Sequence, residues 1–194
     1  MKNSELDIIH IPGFLEEHIA NTLFEKIKNN VFLSGQMNTD PKVLGMPRLI
    51  KWFGDIGYGY SSIYHPPKSI PDYIEEEMVK VNKFLKDNQI ESQMNSVLLN
   101  YYRDGKDKIN YHSDDLSQIG AEPVICSLSV GDSRIFKIKN KETKEIIEFI
   151  LNNGDLFIMK GKTQELFQHG VLQEENKDER INLTFRNTKF KPVK

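Results

Sequence analysis

The stretch Arg180-Ile181-Asn182-Leu183-Thr184-Phe185-Arg186 constrains this chain more than any other. In a β-strand successive side chains point to opposite faces. Ile181, Leu183 and Phe185 therefore make one purely apolar face, and Arg180, Asn182, Thr184 and Arg186 make a polar one. A solvated strand face ordinarily mixes Lys, Glu and Thr. Two guanidinium groups bracketing an amide and a hydroxyl suit a planar carboxylate, which the guanidinium fork grips in bidentate fashion. Alone, the strand fits a solvated edge as well as a ligand-binding floor.

Upstream, residues 6–11 read as a short strand stopped by Pro12-Gly13. Leu15, Ile19, Leu23, Phe24 and Ile27 recur at helical spacing, which predicts an amphipathic helix over 15–29. Residues 36–62 keep neither period and hold Trp52, Phe53, Tyr58 and Tyr60 among glycines and prolines. They read as loops and short strands. Their aromatics suit a core-covering loop or, with Arg48 and Lys51 nearby, a surface that stacks a base and meets a phosphate. A second helix spans 69–88, with Pro71 near its first turn. From residue 95 onward the chain is strand and turn: 96–102, 123–130, 134–139, 145–151, 156–159 and 180–186. Short strands at near-regular spacing behind helices predict a mainly β sandwich or barrel with α+β character.

Composition narrows the partners. The 194 residues suffice for a single domain with a sizeable core, and the net charge of −2 carries no global basic signature. A nucleic-acid partner would have to be met by a local patch. One cysteine, Cys126, excludes an internal disulfide framework and a cysteine-based zinc site. The first residues lack the unbroken apolar core of a signal peptide, and no apolar run reaches the roughly 20 residues of a membrane span. The expectation is an intracellular protein, cytoplasmic or nuclear, neither secreted nor membrane-bound.

The candidate chemistry lies in His112-Ser113-Asp114 and in His169, placed just after a strand and before Gly170. Two histidines and one carboxylate make the facial triad of non-haem Fe(II) oxygenases, with open positions for co-substrate and O₂. The bare His-x-Asp pair is common by chance. Its order carries more weight: His-x-Asp, strands, His169, then Arg180 on a following strand. A co-substrate such as 2-oxoglutarate has a far carboxylate that needs a buried cation. Arg180 offers one, and a buried polar ladder lacking such a ligand would leave guanidinium groups unpaired at substantial cost.

Together these residues resemble the AlkB-like Fe(II)/2-oxoglutarate dioxygenases, in the branch that removes alkyl groups from nucleic-acid bases. The resembling motifs are Asn100-Tyr101-Tyr102, Tyr111-His112-Ser113-Asp114-Asp115, the run from Pro123 to Gly131, the run from Gly154 to Met159, the run from Gln164 to His169, and Arg180 to Arg186. Upstream, Pro47-Arg48-Leu49, Trp52-Phe53-Gly54 and Tyr58-Gly59-Tyr60-Ser61 are similar to the family's lesion-recognition region. The resemblance covers about residues 47–186.

It implies a double-stranded β-helix (a jelly-roll, cupin-like core) over about 95–187, behind N-terminal helices and a nucleotide-recognition region over about 1–90. It implies that His112, Asp114 and His169 bind iron. Asn100, Tyr102, Arg180, Asn182, Thr184 and Arg186 would hold 2-oxoglutarate, with Arg180 on the far carboxylate and Arg186 near the metal. Asp115 would meet a flipped base at its polar edge, Tyr60 would stack on it, and Trp52, Tyr58 and Arg48 would assist. The implied reaction uses Fe(II), O₂ and 2-oxoglutarate to demethylate bases such as 1-methyladenine and 3-methylcytosine, releasing formaldehyde, succinate and CO₂. Such bases carry positive charge, which favours an aromatic face and a carboxylate, and they must leave the stack to react. A related dioxygenase acting on protein or lipid is the alternative. Leu116 stands where the family often has an acid, residues 36–46 match no duplex-probing hairpin, and the chain is slightly acidic. These features favour single-stranded DNA or RNA over duplex, and a monomer is expected.

Overall fold

A computed structural model describes residues 5–34, 47–60 and 63–189. The strand 180–186 predicted above forms as β12 (Arg180–Arg186), and every residue in it is buried. It lies between β5 (Ser96–Tyr102) and β7 (Ile125–Gly131), antiparallel to both. A strand flanked on both sides and covered on both faces has no solvated edge, so its polar face must be satisfied from within the protein or by a ligand.

The larger sheet is completed by β1 (Asp7–Ile11), β2 (Leu49–Gly54) and β10 (Leu156–Lys160), in the order β1-β10-β7-β12-β5-β2. Facing it is a sheet of β6 (Ile109–His112), β11 (Phe167–Val171), β8 (Arg134–Asn140) and β9 (Ile146–Leu151), in the order β6-β11-β8-β9. A small hairpin of β3 (Tyr58–Tyr60) and β4 (Ile63–His65) stands apart from both. Two facing antiparallel sheets with strands alternating between them make the double-stranded β-helix.

The helices cover the outer face of the larger sheet. In α1 (Glu17–Ile27) the buried residues Ala20, Leu23, Phe24 and Ile27 fall on one stripe, and a single π-helical turn, Lys28–Phe32, follows. In α2 (Asp72–Asp87) the stripe is Ile74, Met78, Val81 and Leu85. Both pack on Ile181, Leu183 and Phe185 of β12 and on Val97, Leu99 and Leu128 of its neighbours. Burying one such aliphatic or aromatic side chain contributes about 1.5–3 kcal/mol. That apolar face locks β12 in place, and the alternation then aims its polar face into the space between the sheets.

Tyr101 of β5 points to the helix side, where its hydroxyl donates to Glu179, the residue before β12, and Glu179 also pairs with Lys28. Thus the start of β12 is tied to the end of α1. Burial, followed by that hydrogen bond, raises the Tyr101 pKa well above its ordinary value.

Three elements differ from the sequence reading. His169 lies within β11, opposite His112 in the register with β6, and not after a strand. The pattern was concealed because Phe167-Gln168-His169-Gly170-Val171 is short and ends against a β-bulge. The short helices α3 (Leu116–Ile119) and α4 (Thr163–Leu166) are single turns whose length carries no periodicity. Among the described residues no helix is long and apolar enough to cross a membrane.

Candidate metal centre and co-substrate pocket

At one mouth of the space between the sheets, a ligand atom from each of His112, Asp114 and His169 lies within 4.8 Å of the others. The pairing of β6 with β11 sets His112 across from His169, with ring centroids 4.3 Å apart. Each histidine presents Nε2 at 3.9 Å from Oδ1 of Asp114. Among the described residues this is the one group of three His, Cys, Asp or Glu side chains close enough to share an ion.

The ligand atoms are held by their partners. His112 Nδ1 donates to the Asn110 carbonyl at 2.9 Å, which fixes the tautomer and frees Nε2. Asp114 takes both Nε and Nη2 of Arg186 on its Oδ2, each at 2.6 Å, and so turns Oδ1 to the histidines. Its backbone N–H donates to Gln164 Oε1 at 2.9 Å, and the Ser113 hydroxyl donates to the Phe167 carbonyl at 2.8 Å. These bonds tie the turn after β6 to α4 and β11.

The electrostatics suit a cation. Burial raises the Asp114 pKa, but Arg186 and the histidines outweigh it and leave the carboxyl at about 2. Burial and the neighbouring His112 push His169 down to about 3, and burial likewise lowers His112. Near neutral pH the group is one carboxylate and two neutral imidazoles, the protonation state that a divalent metal requires.

Behind this centre runs a cavity lined by Asn100, Tyr102, Arg180, Asn182, Thr184 and Arg186, with Arg48 on the same wall. The ladder is cross-linked: Asn182 Nδ2 donates to Ser127 Oγ at 2.6 Å, Thr184 Oγ1 donates to Asn182 Oδ1 at 2.7 Å, and Arg48 Nε donates to Asn100 Oδ1 at 2.8 Å. At the deep end Arg180 is 1% exposed, and its Nη2 donates to Ser129 Oγ at 2.8 Å. Among the described residues its Nε and Nη1 are buried without a hydrogen-bond partner. Its guanidinium lies 5.3 Å from the Tyr102 ring centroid, and that of Arg134 lies 5.4 Å from the same ring. Burial lowers the Arg180 pKa from its ordinary value. A buried guanidinium with two empty donors is costly without an anion, and a terminal carboxylate reaching down the cavity would supply one.

The residues expected to meet a substrate fall in different places. Asp115 is exposed; its Oδ1 accepts from Ser117 N and its Oδ2 from Gln118 Nε2. Arg48 is buried and turned into the cavity, not toward a phosphate outside. Trp52 and Tyr58, each 3% exposed, stack on one another at 4.4 Å, and Arg186 lies 5.5 Å from the Tyr58 centroid. Packing inside the protein therefore takes these two rings. The side chain of Tyr60 lies outside the described residues, as do residues 35–46. Sequence reasoning also missed Ser127, Ser129, Arg134 and Gln118, since isolated hydroxyls and amides leave no periodic signal.

A double-stranded β-helix with two histidines and a carboxylate at its mouth, and a buried arginine at its deep end, defines a non-haem metal oxygenase. The model of the 2OG-Fe(II) oxygenase superfamily matches residues 7–186, and the chain belongs to that family. With membership come Fe(II) as cofactor and 2-oxoglutarate and O₂ as co-substrates, and the donor set and the orphaned Arg180 fit them. The chain is 34% identical over 186 residues to alpha-ketoglutarate-dependent dioxygenase alkB homolog 3 of Mus musculus, covering 90% of this chain and 64% of that protein. It is 29% identical over 191 residues to DNA oxidative demethylase ALKBH2 of Mus musculus, covering 90% of this chain and 77% of that one. It thus spans just under two thirds of its alkB homolog 3 relative. The solved structure of OsALKBH1 shares the fold, with a TM-score of 0.61 at 19% identity over 94% of this chain and 97% of that one.

Proposed function

We propose that this chain oxidatively demethylates cationic N-alkylated bases, of the 1-methyladenine and 3-methylcytosine type, in single-stranded DNA or RNA. The observation that carries the reading is the exposed Asp115 carboxylate, one residue from the buried metal ligand Asp114. Adjacent carboxylates do different work here. Arg186 neutralises the inner one, while the outer one, next to it in the chain, belongs to an exposed residue. An outward carboxylate there favours a positively charged base over its unmodified form. The relatives named alkB homolog 3 and DNA oxidative demethylase, each aligned over 90% of this chain, support the same substrate class.

His112, Asp114 and His169 would hold Fe(II), which supplies the means of activating O₂ against a C–H bond. Arg180 would hold the far carboxylate of 2-oxoglutarate, and the ladder from Asn100 to Thr184 would line its length. Asp115 would orient the base so that its N-methyl carbon faces the metal. That carbon leaves as formaldehyde, the ring nitrogen keeps the electron pair, and 2-oxoglutarate ends as succinate and CO₂.

The preference for single strands rests on the net charge of −2, which gives little phosphate attraction, and on the lower cost of extruding a base already unpaired. The test is turnover on matched single-stranded DNA, duplex DNA and RNA, each carrying one 1-methyladenine. Faster repair of single strands supports the reading. Faster repair of duplex contradicts the strand preference, and no repair of any of the three, with metal and co-substrate bound, leaves a protein or lipid substrate instead.

A further inference from the structure

We infer that Gln118 is a positioning residue for substrate recognition, fixing the Asp115 carboxylate and the β3–β4 hairpin against each other across the mouth of the site. The inference rests on the demethylase reading above and names a device within it. Gln118 is 0% exposed, and its side-chain amide is spent on groups outside its own helix and on its helix cap. Oε1 accepts from Gly59 N–H at 3.0 Å, Nε2 donates to the Gly59 carbonyl at 3.0 Å, and Nε2 also donates to Asp115 Oδ2 at 3.2 Å. The orientation of the amide is forced, because Gly59 N–H can only donate and Gly59 C=O can only accept.

The pair of bonds to Gly59 imitates one rung of a β-ladder. The short hairpin β3–β4 belongs to neither large sheet, so this rung helps to tether it. The remaining amide hydrogen then holds one carboxylate oxygen of Asp115, while the other takes Ser117 N–H at 2.9 Å. The backbone carbonyl of Gln118 adds a further tie, accepting from Lys189 N–H just beyond β12. Three segments of chain therefore meet at Gln118: its side-chain amide holds the hairpin that carries Tyr60 next to Gly59 and the turn that carries Asp114 and Asp115, and its backbone carbonyl holds the segment that follows Arg186. A buried amide with every bond satisfied specifies a geometry far more sharply than an apolar residue of equal volume.

The functional consequence is selectivity. With its carboxylate held, Asp115 presents charge in one direction. Without Gln118 only the Ser117 N–H bond is left, about which the carboxylate can turn, and the advantage of a cationic base declines.

The experiment compares wild type, Gln118→Met, Gln118→Asn, Asp115→Asn and the double variant Asp115→Asn/Gln118→Met, each loaded with Fe(II) and 2-oxoglutarate. The substrates are single-stranded oligonucleotides carrying one 3-methylcytosine, a cation, or one 3-methylthymine, its neutral near-isostere. Gln118→Met keeps the volume and loses the bonds. Gln118→Asn keeps an amide that is one methylene too short, and serves if the Met variant does not fold. The preference of kcat/KM for the cation falls about tenfold in either variant, as expected for one lost hydrogen bond to a charged group. The change lies mainly in KM for the 3-methylcytosine strand, and Gln118→Met has no further effect on preference once Asp115→Asn is present. A packing role alone would lower the melting temperature and slow both substrates equally, with preference intact, and that result overturns the inference. A wild type that prefers the cation beside variants that prefer it equally overturns the inference alone. A wild type that oxidises neither base contradicts the demethylase reading and takes the inference with it.

Discussion

Arg186 and Asp114 meet through two donors on one oxygen: Nε and Nη2 both lie 2.6 Å from Oδ2, so Oδ1 alone is left to face His112 and His169. The last residue of β12 thereby orients the carboxylate of a triad whose other members lie on β6 and β11. Both side chains are buried, so removing Arg186 leaves a buried carboxylate without its cation. Arg186→Leu should destabilise the metal-free protein by about 3–5 kcal/mol. Chemical denaturation with and without a redox-inert divalent ion checks this, because a bound ion replaces the missing positive charge and the loss should shrink.

Arg180 makes the opposite prediction for stability. Its orphaned Nε and Nη1 already weigh against the folded state when no anion is present. Arg180→Met should therefore leave the melting temperature unchanged or raised, while 2-oxoglutarate affinity falls on the order of 100-fold through two lost charge-assisted bonds. Arg180→Lys keeps the charge without the fork and should recover only part of the affinity. Calorimetric titration of the metal-loaded variants with 2-oxoglutarate reads both.

Gly131 stands opposite Arg180 in the register between β7 and β12, with φ at +92°. A Cβ there would come within 2.4 Å of the Glu179 carbonyl. Gly131→Ala should cost about 1–3 kcal/mol of stability, and it should weaken 2-oxoglutarate binding because the residue displaced adjoins Arg180. Denaturant midpoints and a co-substrate titration on the same sample test the two effects together.

Cys126 is 0% exposed in mid-β7, and burial pushes its thiol up to about 12. At pH 8.5 the thiol is therefore almost wholly protonated, and the thiolate fraction grows as the pH is raised. The native protein should ignore iodoacetamide over hours, and denaturant should release one reactive thiol per chain. Prompt modification of the native chain would show that β7 opens far more readily than its packing implies.

How much of this was legible in the sequence follows from the range of the interactions. β12 was readable because a period of two is local, and the face that alternation assigned to Arg180, Asn182, Thr184 and Arg186 is the face lining the cavity. The two long helices, α1 and α2, were readable within a few residues from their stripes. Arg48 was not: its direction depends on β2 pairing with β5, where Leu49 sits opposite Tyr101, a register set some 50 residues away in sequence. Trp52 and Tyr58 were open to two readings, and their mutual stacking, which occupies both rings, depends on a hairpin whose position no local pattern encodes. Gln118 left no signal, because a buried amide matters through the backbone it meets, and Gly59 is distant in the chain.

The central claim is tested most directly by restoring a base. The protein is mixed without oxygen with Fe(II), 2-oxoglutarate and a single-stranded oligonucleotide carrying one 1-methyladenine, and O₂ is then admitted. Formaldehyde and unmodified adenine should appear in equal amounts, matched by succinate, and His169→Ala should abolish all three. Consumption of 2-oxoglutarate with the methylated base left intact would contradict the account.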